Sequence, residues 1–173
     1  MKNIILIGYM GSGKSTIGKV LARELNINFI DFDDFLQMKE KRSIKEIFDL
    51  KGEIYFRNLE QKYLQEVLKS APQSVISMGG GTPCYGDNMS LITNSNTTSI
   101  YIKVTVEELA VRLFKARAER PLLIHQDTPE KMDEFVRKHL FERSFYYNQA
   151  ELKVLVDGRT PLEVAQEIKA RLF

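Results

Sequence analysis

The sequence predicts an α/β fold in which a parallel sheet of five strands is wrapped by helices. Two observations carry that expectation. Five short β-rich runs, at 3–7, 28–32, 74–77, 98–104 and 152–156, alternate with longer segments of helical spacing or charge, the order that βαβ units require. Residues 8–15 read Gly-Tyr-Met-Gly-Ser-Gly-Lys-Ser, which fits G-x-x-x-x-G-K-[ST] at every fixed position, between an apolar strand and a helical segment. The chain has 173 residues, no Pro-rich or Ser-rich linker and no internal repeat, so one domain spanning 1–173 is expected.

Each element has a local reason. The first strand is the apolar run Ile4-Ile5-Leu6-Ile7, and the loop after it is built to hold phosphate. Its glycines let the backbone N–H groups of Gly11, Ser12, Gly13, Lys14, Ser15 and Thr16 turn inward, Lys14 reaches the β and γ phosphates, and the Ser15 hydroxyl can hold Mg²⁺. Residues 16–25 continue as a helix whose positive dipole end faces the same phosphates. The second strand ends in Asp31-Phe32-Asp33-Asp34. Alternation along an extended chain puts Asp31 and Asp33 on one face, at the carboxyl end where open α/β sheets bind ligands. One carboxylate can orient Mg²⁺ through water and the other can accept a proton from a substrate hydroxyl. Asp34 is read as the cap of the next helix, and Ser43 with Glu46 as a capping box for another.

The third strand runs into Gly79-Gly80-Gly81 after Met78. A glycine triplet at that place removes side chains where backbone must come close to a ligand. Cys84, just beyond it, reads as a small loop or core residue. Between Arg112 and Thr128 the chain begins helical and turns basic and irregular around Pro121, a candidate for a segment that closes over polyphosphate. Thr160-Pro161 with Glu163 forms a second capping box. The last helix shows Leu162, Ala165, Ile168 and Leu172 on one face. His125 and His139 have no motif around them, and Tyr146-Tyr147 reads as packing.

Composition narrows the partners. A net charge of +2 is too small for a nucleic-acid or membrane surface, so any anion site is local. No run approaches the roughly 20 apolar residues of a membrane helix. The single cysteine suits a reducing cytoplasm, and the apolar run at the N-terminus stops at Gly8 without a cleavage site, so a cytoplasmic location is expected.

Three arginines, Arg57, Arg120 and Arg143, suit recognition of carboxylate or phosphate by their rigid fork, although spacing alone does not bring them together. The ordered set does more. Gly-x-x-Gly-Ser-Gly-Lys-Ser, Asp-x-Asp, Gly-Glu-x-x-Phe-Arg, Gly-Gly-Gly, Arg-Pro-Leu-Leu and a late Arg-x-x-x-Tyr resemble the shikimate kinase family over nearly the whole chain. Gluconate and nucleoside monophosphate kinases share the phosphate loop, but their substrate motifs are not recognised here, nor is an N-K-x-D element that would read guanine.

The resemblance implies a three-layer α/β/α P-loop kinase fold with a mobile lid at about 112–126 and a substrate-binding segment at about 31–60. It implies transfer of the γ-phosphoryl group of ATP to the 3-hydroxyl of shikimate, in aromatic amino-acid (chorismate) biosynthesis, by a monomer with small-molecule partners only. Asp33 then matches the carboxylate that holds the reacting hydroxyl, Asp31 the one near Mg²⁺, and Arg57 with Arg143 the pair that clamps the substrate carboxylate. Gly79, Gly80 and Gly81 line the substrate pocket, Arg120 matches the lid arginine over the phosphates, and Arg112 and Arg159 fall near positions that flank adenine.

Overall fold

The structure, a computed structural model, describes residues 2–173. Five strands, β1 (Asn3–Ile7), β2 (Asn28–Asp31), β3 (Ser74–Ser77), β4 (Thr97–Lys103) and β5 (Leu152–Leu155), form one sheet in the order β2-β3-β1-β4-β5 with every pairing parallel. Neighbouring residues of a strand face opposite sides of the sheet, and Ile4 to Ile7 of β1 and all four residues of β3 are buried. Both faces are therefore covered, which is the three-layer arrangement expected of an all-parallel sheet.

The helices are α1 (Lys14–Leu25), α2 (Phe32–Glu40), α3 (Ile44–Lys51), α4 (Glu53–Ser70), α5 (Asn88–Asn94), α6 (Val106–Lys115), α7 (Pro129–Tyr147) and α8 (Pro161–Leu172). Between α6 and α7 the chain makes two short 3-10 turns, Arg117–Glu119 and Pro121–Leu123. From β1 the chain travels to the β2 edge, and later it crosses from β3 over to β4 on the other side of β1. The carboxyl ends of β1 and β3 thus border the crevice where doubly wound sheets bind ligands.

Both capping boxes form, at Ser43 with Glu46 and at Thr160 with Glu163. Three local expectations change. β2 stops at Asp31 and Phe32 already opens α2, so Asp33 stands in the first turn of a helix and not on a strand. The cap of α2 is Asp31, whose side chain accepts from the backbone N–H groups of Asp33 and Asp34; Asp34 caps nothing. In α8 the inner face is Val164, Ala165 and Ile168, while Leu162 at its first turn is 46 % exposed. The apolar stripe thus begins at Val164, two residues later than periodicity suggests.

One glycine, Gly52, ends α3 and begins α4 at φ 82°. A Cβ there would meet nothing within 4 Å, so the requirement is for left-handed backbone and not for space.

Candidate active site

A cleft of about 350 Å³ lies at the carboxyl ends of β1 and β3, with Lys14, Ser15, Asp31, Asp33, Gly79 and Arg120 among its walls. Its phosphate side is the loop after β1. Gly11 and Gly13 take φ 77° and 89°, and no side chain caps α1, whose first turn carries no acidic residue. The free N–H groups and the dipole at that helix end are therefore left for an anion. Lys14 lies back on the loop, donating to the carbonyls of Gly8 and Tyr9 at 2.9 Å each. Burial pulls its ammonium down to about 8, against the pull of Asp33 and Asp31 in the other direction.

Asp31 joins the two segments. Its Oδ1 caps α2, while its Oδ2 accepts the Ser15 hydroxyl at 2.6 Å; Ser77 Oγ stands 3.2 Å from the same hydroxyl. Among the described residues no three His, Cys, Asp or Glu side chains could hold a metal unaided. A hydroxyl beside one carboxylate does fit Mg²⁺, which keeps most of its ligands from phosphate and water.

Asp33 is carried inward by the first turn of α2. Burial raises its carboxyl to about 6, and the neighbouring Asp31 and Glu60 carboxylates add to the rise while Lys14 opposes it. An acid poised near neutrality, in a cleft with a phosphate cradle, is suited to take a proton.

The glycine triplet explains how four other segments reach the same place. A Cβ on Gly79 would stand 2.7 Å from Asp33 Oδ1 and 2.9 Å from Thr82 Oγ1. One on Gly80 would stand 3.2 Å from the Met10 backbone nitrogen and 3.5 Å from Arg143 Nη1; one on Gly81 would stand 2.9 Å from Arg57 Nη1. None of the three has positive φ. They are glycines because α2, the phosphate loop, α7 and α4 all press functional groups against them.

Two arginines meet at this floor. Arg57, on α4, is gripped by Glu60, only 2 % exposed, at 2.8 Å. The guanidinium is stacked under the Tyr85 ring at 3.7 Å, and its buried Nε has no hydrogen-bond partner. Arg143 approaches from α7, one turn before Tyr147, which is fully buried and donates to the Gly80 carbonyl at 2.6 Å. Two guanidinium forks side by side, one with an Nε–H that makes no hydrogen bond and has the Glu53 carboxylate 3.7 Å away, have the donor geometry that suits a carboxylate.

A family model described as shikimate kinase matches residues 10–173. The chain belongs to the shikimate kinase family. The shikimate kinase of Flavobacterium johnsoniae is 46 % identical over 97 % of both chains. Among solved structures, the shikimate kinase of Bacteroides thetaiotaomicron superposes with TM-score 0.85 at 32 % identity, covering 99 % of this chain and 98 % of its own. That of Acinetobacter baumannii in complex with shikimate gives 0.86 at 28 %, covering 99 % and 93 %.

Within this shikimate kinase family member, the residues expected from sequence divide clearly. Gly11, Gly13, Lys14, Ser15, Thr16, Asp31, Asp33, Gly79, Gly80 and Arg120 line one cleft, Ser12 is buried behind the loop, and Gly81, Arg57 and Arg143 adjoin it through the triplet. Arg112 reaches the loop, donating to the Gly11 carbonyl at 3.3 Å while Glu108 holds its Nε. Arg159 is not brought to the cleft. Its guanidinium donates to the carbonyls of Leu155 and Glu163 and pairs with Glu167, tying β5 to α8. Cys84 is quiet, since burial lifts its thiol to about 11.

Three contributors have no motif of their own in the sequence. Glu60 holds Arg57 and accepts from Thr82 Oγ1 at 2.7 Å, Tyr85 covers Arg57, and Tyr9 pairs with His139. Only Glu60 had a legible signal, an acid three residues after an arginine on a helix.

Proposed function

We propose that this protein transfers the γ-phosphoryl group of ATP to the 3-hydroxyl of shikimate, and that it works as a single domain whose segment 112–126 closes over the nucleotide. The observation that carries the reading is the position of Asp33. It stands against Gly79, between the phosphate loop on one side and the Arg57–Arg143 pair on the other. An acceptor anchored by its carboxylate on the two arginines presents a ring hydroxyl to Asp33, in line with a γ-phosphate held over Lys14.

The chemistry asked of the chain is mostly positioning and charge stabilisation. The acceptor oxygen forms a bond to the γ phosphorus, the bond from that phosphorus to the β-phosphate oxygen breaks, and ADP leaves. The hydroxyl proton passes to Asp33. Lys14 and Arg120 balance negative charge on the transferred group and on the departing phosphate. Ser15 and Asp31 are the residues that would hold Mg²⁺, which when bound neutralises phosphate charge. Arg57 and Arg143 orient the acceptor, and Arg112 borders the nucleotide at Gly11. Arg159 is assigned the adenine edge by family resemblance, a role that would require it to leave Glu167.

The test is ADP release with Mg-ATP and candidate acceptors in turn. Turnover is expected with shikimate and not with gluconate or a nucleoside monophosphate; the reverse pattern would overturn the assignment. Sedimentation is expected to show a monomer, the state in which the cleft is already complete from one chain.

A further inference from the structure

One face of α7 carries three residues at helical spacing, His139, Arg143 and Tyr147, which lie above one another a turn apart. Tyr147 is fixed to the Gly80 carbonyl, and Arg143 stands against Gly80 itself. The third contact goes elsewhere. His139 Nδ1 lies 2.8 Å from the hydroxyl of Tyr9, a residue of the phosphate loop that is only 1 % exposed. The two rings meet edge to face with centroids 5.4 Å apart, the Phe135 ring centroid stands 5.5 Å from the imidazole, and the Arg143 guanidinium lies 5.9 Å from the Tyr9 ring.

Tyr9 is also where the loop holds its lysine. The Tyr9 carbonyl accepts both Lys14 Nζ at 2.9 Å and the Ser12 backbone N–H at 3.2 Å. One residue therefore touches the phosphate-binding group through its backbone and α7 through its side chain. A phenol O–H can donate to an unprotonated imidazole nitrogen, and burial of the imidazole, and after it the charge of Arg143 one turn along α7, oppose adding a proton there.

We propose that His139 is a positioning residue which, through Tyr9, fixes the helix carrying Arg143 to the loop carrying Lys14, so that the acceptor and phosphate halves of the cleft keep one mutual register. This rests on the reading of Arg143 as a ligand of the acceptor carboxylate. Breaking the link leaves both halves formed and lets their separation vary. The loss should therefore fall on acceptor capture, because Arg143 lies at the far end of the link, while ATP still binds a loop whose own hydrogen bonds survive.

The experiment is a double-mutant cycle on the full chain, with Tyr9→Phe, which keeps the buried ring, and His139→Leu. His139→Asn serves as the conservative variant, since its amide oxygen can take the place of Nδ1 as acceptor. Each single change is expected to raise the shikimate KM about 3- to 10-fold, the range one net hydrogen bond supports, with the ATP KM held within about twofold. The double variant should be no worse than either single one, and His139→Asn should restore most of the loss. Additive losses, or an unchanged shikimate KM in Tyr9→Phe while Arg143→Ala raises it, would overturn the proposal. Should Arg143→Ala leave the shikimate KM unchanged, the clamp assignment itself fails, and the positioning role with it. If His139→Leu does not fold, Tyr9→Phe against Arg143→Ala decides the matter alone.

Discussion

Asp33 is destabilised as an anion by the fold that needs it. Its carboxyl is raised to about 6 from an ordinary value of 3.8, so the folded state holds the proton more tightly than the unfolded chain. The stability this group contributes is fully present below pH 4 and is lost as pH rises through about 6. Asp33→Asn removes that loss. The variant should melt higher than the parent at pH 8, by about 1–3 kcal/mol, and not at pH 4, as calorimetry at the two pH values would show. ADP formation should fall by about 10²- to 10⁴-fold in the same variant, the usual contribution of a positioned base. In the parent, kcat/KM should decline on the acid side through a limb near 6, where Asp33 takes up its proton. Lys14 moves in the opposite sense. Its folded value of about 8 lies below the ordinary 10.5, so it retains its charge through neutral pH and loses it in the free protein above about 8. Glu60 is the buried partner of Arg57, and Glu60→Ala should lower stability by about 1.5–3 kcal/mol, because a partly buried guanidinium loses its nearer carboxylate while Glu53 stays 3.7 Å from its Nε. Urea titration measures this, and a loss below 1 kcal/mol would show that Arg57 relaxes to water.

The glycines at the ends of elements act through two different physical requirements, and substitution separates them. Gly52 joins α3 to α4 in left-handed backbone with open space around it. Gly52→Ala should therefore lower stability by about 1–3 kcal/mol with kinetic constants unchanged. Gly81 has ordinary backbone but Arg57 stands where its side chain would go. Gly81→Ala should raise the shikimate KM at least tenfold, an effect of about 1.4 kcal/mol or more, with the melting temperature little altered; equal effects on both quantities in both variants would merge the two cases. The same distinction governs what was legible in the sequence. Strands could be read because β1 is a continuous apolar run and the others are short β-rich runs between helical segments, and α3 and α8 because their capping boxes are local. The beginnings of α4 and α5 were not legible, since no side chain caps either. Asp33 lines the same cleft as the phosphate loop by another geometry than strand alternation suggests: Asp31 caps a helix and Asp33 stands in its first turn. A strand end and a helix start share the residue Asp31, and no pattern of spacing tells which role comes first.

The cleft draws Lys14 from α1, Asp33 from α2, Arg57 from α4, the triplet from the end of β3 and Arg143 from α7, so no sub-fragment of the chain contains it. Unfolding in urea, followed by far-UV dichroism and by residual activity, should then give one coincident transition, as expected of a single domain of this size. An activity loss well before the dichroism change would show that α7 or the 112–126 segment detaches on its own. Motif order made the family visible across this whole, because each motif is short and complete within a few adjacent residues. Contacts between motifs were not visible, because Glu60 to Thr82 and Tyr9 to His139 are separated by 22 and 130 positions, and local spacing says nothing about pairs so far apart.

The floor of the cleft at Gly79, Gly80 and Gly81 is bare backbone with Asp33, the phosphate loop and Arg57 set directly against it. An inhibitor that takes its hydrogen bonds from that floor would address atoms no substitution can change. Enlarging any of the three residues to exclude it would push away Asp33, the phosphate loop or Arg57. Escape would have to come from neighbours such as Met10 or Met78, which line the same cleft and have side chains to vary.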